Sequence, residues 1–119
     1  MSAVDLLDQA QRILAARGTG GSSPRMAAFL ARRALEEIID QRCADLDAAA
    51  AWASTRSKLL ILRALDTAEA ADRAAFAWSR LSNACHLHAF EMQPSTAEIE
   101  QLCGIVTQLL SSDGTGKAS

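Results

Sequence analysis

Wherever this 119-residue chain is apolar, its apolar residues recur three and four apart, and no stretch alternates with period two. A helix returns a side chain to the same face every three to four residues, a strand every second one, so the pattern predicts helices and no strands. Half of the residues are hydrophobic, which suffices for one domain of this size to bury a core. The expected fold is all-α: a four- to five-helix bundle of the up-and-down type, one domain over residues 1–110 followed by a mobile polar tail over 111–119.

Taken in order, a first amphipathic helix runs from about Val4 to Arg17, with Val4, Leu7 and Leu14 on one stripe and Leu6, Ala10 and Ile13 beside it. Gly18 stops it, and the polar run to Ser23 reads as a connector. Its glycines do not make a phosphate loop, because no strand precedes them and no Gly-Lys-Ser/Thr follows. Ser23 and Pro24 form a helix start, opening a second helix to about Cys43. Its buried face is Ala27, Leu30, Ala31, Ala34, Leu35, Ile38 and Ile39, and its outer face pairs Arg32 with Glu36 and Arg33 with Glu37.

Asp45 or Asp47 can cap a third helix that runs through Ala48–Ala51, Trp52 and Lys58 to about Leu65. Its end, Leu59-Leu60-Ile61-Leu62, is apolar all round, which predicts a central position. Asp66-Thr67-Ala68-Glu69 reads as a capping box, with Asp66 as the cap of a long fourth helix that reaches roughly Glu91 before Pro94. A second box, Ser95-Thr96-Ala97-Glu98, opens a fifth helix with Ile99, Leu102, Val106 and Leu109 on one stripe, widened by Cys103 and Leu110.

A net charge of −2 argues against a bulk electrostatic hold on nucleic acid or anionic membrane, though a local patch can still bind either. Three widely spaced cysteines without Cys-x-x-Cys spacing signal neither a disulfide framework nor a zinc site, so the thiols are expected reduced. With no leader-like N-terminus and no apolar run of about 20 residues, a soluble cytoplasmic protein without membrane contact is expected.

Residues Trp78 to Pro94 hold both histidines, Cys85 and one of the two tryptophans. On one continuous helix His88 joins Ala70, Ala74, Ala77, Trp78, Leu81, Cys85 and Met92 on the core stripe, and His86 falls on the far side with Ser79, Ser82 and Asn83. His86 and His88 diverge, leaving only Cys85 and His88 to converge on a metal, too few ligands for a site. Nothing nearby lowers the Cys85 pKa as a nucleophile requires. No metal or cofactor is therefore expected. Phe76, Leu87 and Phe90 form a second apolar stripe around Asn83, which predicts a homodimer contact.

His86 can serve as a general acid or base, with Ser79, Ser82 and Asn83 placed to orient it. Cutting RNA without a metal needs a base for the 2′-hydroxyl proton and a cation for the phosphorane, and Arg80 is the nearest basic side chain. On a straight helix Arg80 and His86 lie about 120° apart, so they converge only through a bend or across a dimer.

Over roughly Pro24 to Leu110 the chain resembles the HEPN superfamily, the small helical domains named from higher eukaryotes and prokaryotes nucleotide-binding. The likeness is carried by Ala34-Leu35-Glu36-Glu37, by Lys58-Leu59-Leu60-Ile61-Leu62, and by Leu81-Ser82-Asn83-Ala84-Cys85-His86 followed by Pro94-Ser95-Thr96-Ala97-Glu98. It implies a helical bundle, usually dimeric, and in many members a metal-independent ribonuclease. The signature of those members is an arginine four to six residues before a histidine on a late helix, a spacing that Arg80 and His86 meet. Leu81 stands where the commoner form has a polar residue after the arginine, so a non-catalytic, partner- or nucleotide-binding member is the other expectation. The expected partners are a second copy, RNA or a nucleotide, and a neutralising protein. A non-enzymatic dimerisation protein, with His86 incidental, remains the alternative.

Overall fold

The computed structural model describes residues 2–16, 24–48, 52–86 and 95–111. Five helices make up the described chain: α1 (Ala3–Ala15), α2 (Pro24–Asp45), α3 (Thr55–Leu65), α4 (Ala68–Cys85) and α5 (Thr96–Ser111). No strand occurs among the described residues, and the all-α globule is consistent with a helical bundle. The Gly18–Ser23 connector, the Ser23 cap, Ala49–Ala51, Leu87, His88, Phe90, Met92, Pro94 and the tail beyond Ser111 lie outside the described residues.

The centre of the molecule is α2, which packs against all four other helices. Its buried residues include Ala27, Ala28, Ala31 and Ala34, all with no exposed surface, so neighbouring backbones can come close on several sides. Leu35, Ile38, Ile39 and Cys43 continue the buried surface toward its C-terminal end. The predicted stripe of α5 is buried as a block: Ile99, Leu102, Cys103, Val106 and Leu109. In α1, Leu6, Leu7, Ala10 and Leu14 are buried, but Val4 is 60% exposed, although Ala3 beside it packs against the core.

Three expectations for the middle of the chain are corrected. The third helix begins at Thr55 with Ser54 as its cap, the Ser54 hydroxyl accepting from the Ser57 N–H at 3.1 Å. Asp47 instead terminates α2 in the left-handed region at φ 58°, where Asp is tolerated, and the Ala48 N–H closes back on the Cys43 carbonyl at 2.9 Å. Nor is α3 central: Lys58 and Leu62 are its buried residues, while Leu60 is 62% exposed. An apolar circumference says how much burial a helix could use. The longer, alanine-faced α2 is the one its neighbours can surround.

Finally, Asp66 does not cap α4. Thr67 does, its hydroxyl accepting from the Ala70 N–H at 3.1 Å. The Asp66 carboxylate reaches back to α2, accepting from Arg42 Nε at 2.7 Å and Nη2 at 3.2 Å. Arg42 Nη1 donates to the Leu109 carbonyl of α5 at 3.1 Å, so one guanidinium ties α2, the α3–α4 junction and the end of α5 together. Nearby, Lys58 Nζ extends from a buried stem to Asp40 Oδ1 at 2.6 Å, joining α3 to α2.

Candidate functional site at the end of α4

The buried residues of α4 are four alanines, Ala70, Ala71, Ala74 and Ala77, and one large side chain, Leu81. The period that buries these turns a second row outward: Asp72, Phe76, Ser79, Arg80 and Asn83 are exposed, and His86 is exposed where the helix ends. Leu81, apolar where the commoner signature is polar, therefore occupies a core position with no exposed surface.

Arg80 is held from α5. Its Nε donates to Glu98 Oε2 at 3.1 Å, and its Nη2 bonds the same oxygen. Glu98 is itself placed by the start of α5, where Ser95 Oγ accepts from the Glu98 N–H at 3.0 Å. Half of the second capping box thus forms as expected, while the Glu98 carboxylate serves Arg80. The Arg80 guanidinium also lies 6.0 Å from the centre of the Phe76 ring. About half of the Arg80 side chain remains in solvent, and its Nη1 makes no hydrogen bond among the described residues.

The fourth helix ends at Cys85, earlier than the expected Glu91, and His86 follows as its C-cap with extended backbone, φ −82° and ψ 132°. The His86 N–H bonds the Asn83 carbonyl at 3.3 Å, the tightened last turn typical of a helix end. Ser82 and Asn83, whose side chains compete for backbone hydrogen bonds, stand in that last turn. The His86 φ is close to helical and only its ψ departs, so its side chain still leaves the backbone near the straight-helix direction, about 120° from Arg80, and it is the chain after His86 that turns away. Ser79 and Asn83 share the exposed row, whereas Ser82 is half-buried, its hydroxyl buried and without a hydrogen-bond partner among the described residues.

The inward flank of α4 meets the outer side of α2. Trp78 Nε1 donates to Glu36 Oε2 at 3.4 Å, Arg32 Nε donates to the same oxygen at 3.3 Å, and the Arg32 guanidinium lies 5.5 Å from the centre of the Trp78 ring. The Arg32–Glu36 pair is legible in the sequence; its engagement of Trp78, 42 residues away, has no local signal. Burial pushes the Cys85 thiol above its ordinary pKa, only partly opposed by a hydrogen bond from Arg32. Burial likewise raises Cys43, and pushes Cys103 up to about 11. All three thiols are therefore neutral at pH 7, so none is an activated nucleophile.

Of the predicted dimer residues, Phe76 is 52% exposed, and Leu87 and Phe90 lie outside the described residues. Among the described residues no three His, Cys, Asp or Glu side chains gather as a metal site, and no helix is long and apolar enough to cross a membrane. Comparison with protein-family models, with curated proteins and with solved structures finds no match to this chain.

Proposed function

We propose that this chain is a HEPN-like helical domain whose exposed α4 face engages RNA phosphate as a ribonuclease, with Arg80 and His86 as its working pair. The observation that carries the reading is the end of α4: an exposed histidine leaves the helix six residues after an exposed arginine that a carboxylate of α5 holds in place. In this reading the His86 imidazole takes the proton from a ribose 2′-hydroxyl, and the 2′-oxygen attacks the adjacent phosphorus. The 5′-oxygen leaves and receives a proton from the imidazolium, giving a 2′,3′-cyclic phosphate and a 5′-hydroxyl. Arg80 donates to the non-bridging oxygens as charge builds on them, using the nitrogen that Glu98 does not occupy.

The test is cleavage of a fluorescent single-stranded RNA by the purified protein. His86→Ala is expected to slow cleavage by about 10²–10⁴-fold, the usual contribution of general acid–base catalysis, and Arg80→Ala to slow it comparably. Because Arg80–Glu98 is an exposed pair worth at most about 1 kcal/mol, the fold should survive Arg80→Ala, so lost activity would report on the site. Cleavage unchanged in both variants, or a wild type that neither cuts RNA nor binds a nucleotide, rejects the reading.

The half-exposed Phe76 beside Arg80 favours a second reading, in which this face is a contact for a second copy and has no catalytic role. It predicts a dimeric wild type by light scattering and a shift to monomer in Phe76→Asp. A monomeric wild type removes it.

A further inference from the structure

A separate feature lies on the opposite flank of α4, where its last turn meets the first turns of α2. Arg25, Met26 and Phe29 of α2 and Cys85 of α4 line a cavity of about 320 Å³, at the lower end of the range for small-molecule sites, about 300–1,000 Å³. Its walls are mainly apolar, and Phe29 is 48% exposed. The Nε and Nη2 atoms of Arg25 are buried with no hydrogen-bond partner among the described residues. Buried guanidinium donors without an acceptor are costly, and native proteins rarely leave them so.

Among the described residues no carboxylate pairs with Arg25. Glu36 is engaged by Arg32 and by Trp78. Cys85, which feels the charges of Arg32, Glu36 and Arg25, is a neutral thiol at pH 7 because burial raises its pKa. With Arg32 and Glu36 cancelling, the end of the cavity keeps the positive charge of Arg25. A positive end at Arg25 and an apolar body together select a ligand of complementary form.

We propose that this cavity binds an amphipathic monocarboxylate, a medium-chain acyl acid, with its carboxylate on Arg25 and its chain against Met26 and Phe29. The site lies apart from the exposed row that carries Arg80 and His86, so the proposal stands or falls independently of the ribonuclease reading.

Decanoate below its micellar concentration is the probe, titrated calorimetrically into the full chain. Saturable one-to-one binding is expected, with decanol and inorganic phosphate each weaker by roughly tenfold or more, since each lacks one half of the recognition. Arg25→Gln should lose a similar factor, as should Phe29→Ser on the exposed wall. A readout on the unaltered protein accompanies them: bound decanoate should slow alkylation of Cys85 by iodoacetamide. No saturable binding, decanol binding as well as decanoate, phosphate binding as well as decanoate, or unprotected Cys85 at saturation would each overturn the proposal.

Discussion

Arg42→Ala is expected to destabilise the protein by about 3–5 kcal/mol and to lower its melting temperature by roughly 10–25 °C, the largest single loss available outside the apolar core. Arg42 and Asp66 have side chains only 10% and 9% exposed, and their bonds at 2.7 and 3.2 Å are bidentate. Truncating the arginine strips the buried Asp66 carboxylate of its guanidinium counter-ion while it still accepts from the Thr67 N–H at 2.7 Å, and removes the Arg42 donor from the Leu109 carbonyl. The cost comes from a buried carboxylate that has lost its counter-ion more than from the attraction itself. Replacing both residues by apolar ones, Arg42→Met with Asp66→Leu, should therefore cost clearly less than the two single changes added together. Urea denaturation followed by circular dichroism measures all four corners of the cycle, and strict additivity would show that the two side chains do not act as a pair.

How well the residues forecast the fold depended on how far each signal reached. The α5 stripe and most of the α2 stripe were legible because a helix displays its buried face within a few residues, and nothing distant alters it. Asp66 looks locally like a cap because it is a carboxylate before Thr67 and Glu69, while its partner stands 24 residues earlier. Leu59 to Leu62 were read as central for a similar reason: they show an appetite for burial but not the competition from α2. At the site, the spacing of Arg80 and His86 was visible, while the Glu98 clamp and the helix end at Cys85 needed the fold. Arg25 and Cys85 carry no joint signal, since they lie 60 positions apart in the chain and meet only at a cavity wall.

Leu81→Ala should cost about 2–5 kcal/mol, the range for deleting a fully buried leucine. The site makes this more than a routine core change. Every other buried residue of α4 is alanine, so Leu81 is the one large buried side chain fastening the helix whose exposed row carries Arg80, Asn83 and His86. It follows Arg80 directly, and its fixed inward direction sets the outward direction of its neighbour. Loss of the anchor should loosen the last turns of α4 before it unfolds the rest, so amides from Leu81 to Cys85 should exchange with solvent disproportionately faster than those of α2. Leu81→Met, which keeps the volume, should stay within about 1.5 kcal/mol of wild type. A polar residue at this position would place a hydroxyl or amide in the core. Leu81→Ser should therefore cost at least as much as Leu81→Ala, by the lost volume together with an unsatisfied polar group. Should it prove neutral in urea denaturation, α4 can rotate to carry this residue outward, and the arrangement of Arg80 and His86 would have to be redrawn with it.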